Sequence, residues 1–292
     1  MDYKIEKISI KDFPIKLKKI KKPPQELYAV GNMELMFKEC FAIVGTRKIS
    51  EYGIQNCKYF AKELALRNII TVSGMAIGTD TVVHEETIEN GGKTIAVLGS
   101  GFNNIYPKSN KELFRKIVDN EGLILTEYQP NEIAVKANFP ARNRIISALS
   151  EGVLIIEAAY RSGTSITAKH AIEQEKKVFT IPGIIGTVGG VGVNNLIKKG
   201  AILTTTVEDI LRHYPHFASK KRIDNKRKPA IKKEYIEIYK ILEKQESSIE
   251  NIAMHTKINI IDLLQIITNM EIDNIVCQDN KGIYKLIERS RK

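Results

Sequence analysis

Residues 41–50 read FAIVGTRKIS. The run from Phe41 to Val44 is apolar and β-branched at its end, and reads as a buried strand. Gly45, Thr46 and Arg47 make a sharp exit, and Ser50 is placed to cap a helix running to about Arg67. A strand that turns directly into a helix N-terminus offers an anion site. Backbone N–H groups point outward, the helix dipole adds partial positive charge, and Arg47 adds a fork-shaped full charge. Many α/β domains have such turns that bind nothing, so the weight falls on what surrounds this one.

Outward from it, apolar runs alternate with helical periodicity. Strands are predicted at 41–44, 69–72, 94–98, 123–126, 153–156 and 178–181, with 201–204 as an edge strand. Helices are predicted at 50–67, 79–90, 110–119, 141–149, 164–174 and 207–213. In the first, Gly53, Cys57, Phe60, Ala61 and Leu64 fall on one stripe. This alternation predicts an α/β fold built on a doubly wound, mostly parallel sheet with right-handed crossovers. In such a sheet the turns Gly45-Thr46-Arg47, Ser73-Gly74, Gly99-Ser100-Gly101 and, after Glu157, Arg161-Ser162-Gly163-Thr164 share the carboxyl edge. Ligands bind there, and small residues let a phosphate approach the backbone.

The flanks read differently. Residues 1–30 are short and basic, with Lys16, Lys18, Lys19, Lys21 and Lys22 ahead of Pro23-Pro24, and 25–30 reads as an extended lead-in within a 1–40 stretch. Residues 213–231 are polar and basic and read as a linker, so 41–214 forms the main domain and 215–231 the connection. From 232 to 292 a small module is predicted, with helices at 233–243, 248–256 and 260–270. Strands at 275–277 and 283–286 flank Asp279-Asn280-Lys281-Gly282, a hairpin signal. Three helices and a hairpin are the layout of a winged helix, which either contacts nucleic acid or protein, or serves as a capping or dimerising appendage.

The chain has 292 residues, a formal net charge of +11 and 43% hydrophobic residues, enough for a sizeable core plus a module. The charge suits nucleic acid or an acidic membrane surface, and a generally lysine-rich composition produces the same sum. No stretch approaches the roughly 18 apolar residues of a membrane span, and no signal-peptide core is present. Cys40, Cys57 and Cys277 are scattered and odd in number, which fits a reducing cytoplasmic setting and no zinc cluster. Gly91-Gly92-Lys93-Thr94 is not a P-loop, because Thr87 stands where its first glycine belongs and the segment enters a strand. Gly99-Ser100-Gly101 lacks the third glycine of a dinucleotide fingerprint, since Asn104 stands there. His84-Glu85-Glu86 is not a metalloprotease helix, position 88 being Ile. The glycine-rich run 186–192 reads as a loop. No catalytic triad, metal set or cofactor is expected.

Residues 136–144, KANFPARNR, bear on substrate class. Pro140 suits a first helical turn, and Phe139 stands before it among Lys136, Arg142 and Arg144. Cations interleaved with an aromatic suit a single strand, with phosphates on the charges and a base on the ring. The same residues are also compatible with Phe139 as a hydrophobic staple and Arg142 or Arg144 in ion pairs with Glu127 or Glu157.

With these residues stands a series of motifs: PPQELYAVGN, AIVGTRKISEYG, TVSGMAIGTDTVVHE, GGKTIAVLGSGFNNIYPKSN, LILTEYQP, NFPARNRIISALSEGVLIIEAAYRSGTSITAKHAIEQEKKVFTIPG and GVNNLIKKGA. In this order, from about Phe13 to Leu211, the chain resembles the DprA/Smf family of bacterial DNA-processing proteins. The resemblance implies an extended Rossmann-like domain that binds single-stranded DNA, loads RecA recombinase onto it during natural transformation, and forms a homodimer. It carries the family's Gly-Ser-Arg turn onto Gly45, Thr46 and Arg47, its basic residue onto Lys136 and its base-contacting aromatic onto Phe139. Ser73, Gly74, Asn138, Arg142 and Arg144 complete the expected DNA surface. The helical domain that many members carry ahead of this region is not expected, since only about 40 residues precede Phe41. Two positions depart from the family pattern, Met75 in Ser73-Gly74-Met75-Ala76 and Thr79 in Gly78-Thr79-Asp80. Rossmann-like nucleotide phosphoribohydrolases, which pair a glycine-rich turn with a glutamate, are the alternative. Glu157 lies near such a turn, but no carboxylate follows Ser162-Gly163-Thr164 at the expected offset, so a non-catalytic role is expected. The 162–164 turn itself either holds a further phosphate or caps a helix.

Overall fold

The structure is a computed structural model and describes residues 3–220, 233–272, 275–279 and 282–286. The chain forms two compact units, Met1–Asn225 and Lys226–Lys292.

In the first unit the strands are β1 (Glu6–Ser9), β2 (Glu26–Gly31), β3 (Cys40–Val44), β4 (Ile70–Ser73), β5 (Thr94–Leu98), β6 (Leu123–Thr126), β7 (Gly152–Ile155), β8 (Lys177–Thr180) and β9 (Ile202–Leu203). They form one sheet in the order β1-β2-β6-β5-β4-β3-β7-β8-β9. Neighbours from β6 to β9 are parallel, with Ala42 of β3 opposite Val72 of β4 and Val153 of β7. The strand order reverses between β3 and β7, which places the switch point of the sheet beside the Gly45-Thr46-Arg47 turn.

The expected lead-in is part of this sheet. β2 pairs antiparallel with β6, Ala29 opposite Leu125, and β1 pairs antiparallel with β2. Leu27, Ala29 and Val30 are buried, and so are Phe13 and Leu17. Mixed edges of this kind are common on otherwise parallel sheets.

Helices α1 (Ile15–Lys18), α2 (Glu51–Leu66), α3 (Thr79–Glu89), α4 (Lys111–Asp119), α5 (Asn138–Leu149), α6 (Gly163–Glu173), α7 (Val188–Lys198), α8 (Val207–Leu211) and α9 (Pro215–Ala218) accompany the sheet. Strand residues alternate between two cores, as period-two geometry requires. Ala42 and Val44 of β3 join one core with Ile145, Ile146 and Leu149 of α5 and Ala168 and Ala171 of α6. Phe41 and Ile43 join the other with Cys57, Phe60, Ala61 and Leu64 of α2. β3 is buried along its whole length, the pattern of a strand covered on both faces. Ser50 caps α2 as expected, its hydroxyl accepting the Gly53 N–H at 3.1 Å.

Two expectations are corrected here. The 186–192 run is not a loop: from Val188 it is the first part of α7, capped by Thr187, whose hydroxyl accepts the Gly190 N–H at 3.1 Å. Its glycines are there for close approach. The Gly192 N–H donates to Ala158 O at 2.9 Å, and a Cβ at 192 would run into that carbonyl. The linker also begins later than residue 213. Tyr214 and Phe217 are buried against Phe41, and the α9 turn packs with them. Residues 221–232, most of the expected linker, lie outside the described residues.

The second unit contains α10 (Ile236–Lys244), α11 (Ile249–Thr256) and α12 (Ile260–Ile272) with β10 (Ser247–Ser248), β11 (Val276–Gln278) and β12 (Ile283–Leu286). β11 and β12 form the expected antiparallel pair, Val276 opposite Leu286, and β10 joins the other side of β12. Residues 280–281 of the hairpin turn lie outside the described residues. Tyr235, Ile238, Ile252, Leu263, Ile267 and Met270 are among the core of this unit. Among the described residues of the chain, no helix is long and apolar enough to cross a membrane.

Candidate nucleic-acid interface

A cavity of about 640 Å³ opens at the carboxyl edge, beside the β3–β7 switch point. The turn after β3 supplies Gly45, Thr46 and Arg47 to its wall, and the 162–164 turn supplies Ser162, Gly163 and Thr164. The two turns are stitched together, the Thr164 hydroxyl donating to Gly45 O at 3.0 Å. Ser162 occupies the N-cap position of α6, but its hydroxyl does not close the cap and faces Ser165 at 3.4 Å instead.

The third wall comes from the segment entering α5. Pro140 falls in the first turn of that helix, where an N–H would have no helical acceptor. The helix begins three residues earlier than expected, so Phe139 lies inside its first turn. The Phe139 ring packs over Gly99, and the Arg47 guanidinium sits over the ring, 5.0 Å from its centre. Lys136 borders the same cavity. Arg47 and Lys136 are exposed, and among the described residues neither has an ion-pair partner.

The remaining candidates are placed otherwise. Arg142 lines the cavity but is 4% exposed, and it donates to the carbonyls of Gly74 and Val97. It is an internal brace and not an exposed basic floor. Its position on α5 explains this, because 142, 145, 146 and 149 share the buried stripe. Burial pushes the Asp80 carboxyl above its ordinary range against the pull of the Arg142 guanidinium, and burial likewise lowers the Arg142 pKa. Asp80 accepts the Ala76 N–H at 3.2 Å, so the pair holds the turn after β4 from two sides.

Ser73 is fully buried, its hydroxyl donating to Ile43 O at 2.7 Å. Gly74 borders a smaller adjoining cleft, with its carbonyl taken by Arg142. Asn138 is buried, and its carbonyl accepts the Tyr128 hydroxyl at 3.1 Å. Arg144 forms the ion pair with Glu127 at 2.6 Å and donates to Lys22 O at 2.8 Å. Of the four glycine-rich turns, the third is covered: the Gly101 N–H donates to Glu132 O at 2.9 Å, and Ser100 is buried.

Glu157 does not line the cavity. It is 6% exposed, and its carboxylate accepts the Ser50 N–H at 2.9 Å and the Ser50 hydroxyl at 2.6 Å.

Asp80 and Tyr106 line the cavity although neither was among the expected DNA-contacting residues. Tyr106 was findable. Tyr106-Pro107 repeats the aromatic–proline pair of Phe139-Pro140, and it follows a glycine-rich turn on the same sheet edge.

The sequence model of DNA recombination-mediator protein A matches residues 4–215. Over 202 residues the chain is 41% identical to DNA processing protein DprA of Streptococcus pneumoniae, covering 69% of this chain and 71% of that protein. Over 190 residues it is 41% identical to protein Smf of Escherichia coli, covering 65% of this chain but only 51% of its relative. The solved structure of DNA processing protein A from Helicobacter pylori, which concerns that protein's single-stranded-DNA binding mode, superposes with a TM-score of 0.67 at 30% identity. That superposition covers 74% of this chain and 97% of the other. From its continuous match over the whole sheet unit, the chain belongs to the DprA/Smf family of DNA recombination-mediator proteins.

Proposed function

We propose that this protein binds single-stranded DNA in the cavity at the β3–β7 switch point. The observation that carries the reading is the meeting of Arg47, Lys136 and Phe139 at one opening, although they come from two distant segments. Arg47 and Lys136 neutralise phosphates, Gly45 and Thr46 offer backbone and hydroxyl donors, and Phe139 meets a base. Ser73, Gly74, Asn138, Arg142 and Arg144 act behind that surface, shaping the turns and the helix that present it. The single-strand binding of the Helicobacter pylori relative supports the same assignment.

On this reading the protein is a cytoplasmic mediator that loads RecA recombinase onto the bound strand during natural transformation, and it works as a homodimer. Family membership supports the recombination role. The second unit, a winged-helix-like module, is an accessory to the sheet unit. A nucleotide-hydrolysing activity has less support, because Glu157 is engaged by Ser50 and does not line the cavity.

The test is salt-dependent binding of single and double strands by the full chain and by a fragment ending at Lys220, which keeps the buried Tyr214 and Phe217. Both proteins are expected to prefer single strands. Equal affinity for duplex, or loss of binding in the fragment, refutes the assignment.

A further inference from the structure

Phe139 is not the ring that this opening presents most freely. One side of it packs over Gly99, where an added Cβ would come within 2.8 Å of Cδ1, and the Arg47 guanidinium covers it from 5.0 Å. Tyr106 is 50% exposed. The two ring centres are 5.6 Å apart with planes tilted by 56°. Rings in direct contact at that spacing leave no room for a base between them, so a base must use an outer surface.

Tyr106 also stands where two depressions meet. It borders the main cavity and, with Ile77 and Pro107, a shallow apolar cleft beside it; Arg47 and Phe139 border both. Ile77 is 46% exposed. A planar, half-exposed ring that shares a cleft with an exposed apolar side chain suits the face and rim of a nucleobase. Arg47 and Lys136, which border the same cavity, suit the linking phosphates, and such stacking tolerates any base.

We propose that Tyr106 forms a second base-binding subsite. Its ring stacks the nucleobase next to the one at Phe139, Ile77 and Pro107 meet the edge of that base, and Arg47 serves the phosphate between the two. This rests on the reading of the cavity as a single-strand site, and it makes the contact two bases long.

The experiment measures fluorescence anisotropy of a labelled oligothymidylate and of an abasic strand of equal length. The proteins are the parent and the full-length Tyr106→Ala, Tyr106→Phe and Lys136→Ala variants. Tyr106→Ala is expected to weaken oligothymidylate binding about fivefold or more, and Tyr106→Phe by less than about twofold. On the abasic strand Tyr106→Ala is expected to match the parent. If Tyr106→Ala binds oligothymidylate like the parent while Lys136→Ala is weakened, the subsite is refuted and the cavity reading stands. If Lys136→Ala also binds like the parent, the cavity reading fails and takes the subsite with it. An equal loss on both strands would show that the ring only props its loop, which overturns the proposal as well.

Discussion

Ser50 and Glu157 are bound twice. One carboxylate oxygen of Glu157 accepts the Ser50 N–H at 2.9 Å, and the other accepts its hydroxyl at 2.6 Å. The contact joins the entry to α2 with the segment after β7, the two sides of the switch point. Gly53 lies against the same carboxylate, and a Cβ there would come 2.6 Å from Oε2. Gly→Ala inside a helix ordinarily stabilises by about 0.5–1 kcal/mol. Here Gly53→Ala is expected to destabilise by about 1–3 kcal/mol through overpacking. Part of that penalty should vanish in a Glu157→Ala background, because the two sites share an atom-level contact. Urea midpoints of the four proteins decide the matter, and strict additivity would show that the carboxylate is not the obstacle.

Arg142 and Asp80 stand under the cavity as a buried pair. Removing the guanidinium strands the carbonyls of Gly74 and Val97 and leaves a buried carboxyl without its cation. Arg142→Met is therefore expected to cost about 3–5 kcal/mol, and the double variant with Asp80→Asn less. Chemical denaturation compares them. A double variant no more stable than Arg142→Met would mean that the carboxyl is not what makes the loss expensive.

The basic residues in this region should separate by their salt dependence. Lys136→Ala and Arg47→Ala should each reduce the slope of log affinity against log salt by about 0.7, the value per phosphate contact on a single strand. Arg144→Ala should leave that slope alone, since Glu127 already neutralises Arg144 at 2.6 Å. Titrations at four or more ionic strengths give the slopes. A slope for Arg144→Ala as shallow as that of Lys136→Ala would place Arg144 on the DNA.

His84 supplies a pH signature. It is fully buried, its Nδ1 lies 2.7 Å from the Thr94 hydroxyl, and burial, with a smaller push from the Arg142 charge, lowers its pKa to about 3. The unfolded chain takes up that proton near 6.5. The folded state is thus favoured in full above 6.5 and loses stability as the pH falls from there towards 3. At pH 5 the loss attributable to this residue is about 2 kcal/mol. Against a non-titrating His84→Gln variant, the parent's stability advantage should shrink by that amount between pH 7 and pH 5. Parallel pH profiles would show that His84 charges freely in the folded protein.

The elements of the sheet were legible because their signals are local. Thr94–Leu98 and Leu123–Thr126 are strands with the predicted ends, and Ser50 caps α2 as read. A run of β-branched residues or a cap is written within a few positions, and strand–helix alternation then restricts the sheet to a few topologies. Two features escaped for the opposite reason. β2 owes its place to pairing with β6, nearly a hundred residues away, and α7 starts on glycines that only its contact with Ala158 explains.

For the site, the amino-acid sequence by itself placed the Gly45 turn at the carboxyl edge of an α/β sheet and marked Lys136 and Phe139 as candidates for contact with a nucleic-acid strand. Which charges remain open to a ligand was decided only in three dimensions. Arg47 and Lys136 are exposed and have no ion-pair partner among the described residues, Arg144 is spent on Glu127, and Arg142 is buried on the stripe that continues into Ile145, Ile146 and Leu149. Charge is a property of the residue, but its availability depends on which distant carbonyls and carboxylates the fold brings within hydrogen-bonding reach.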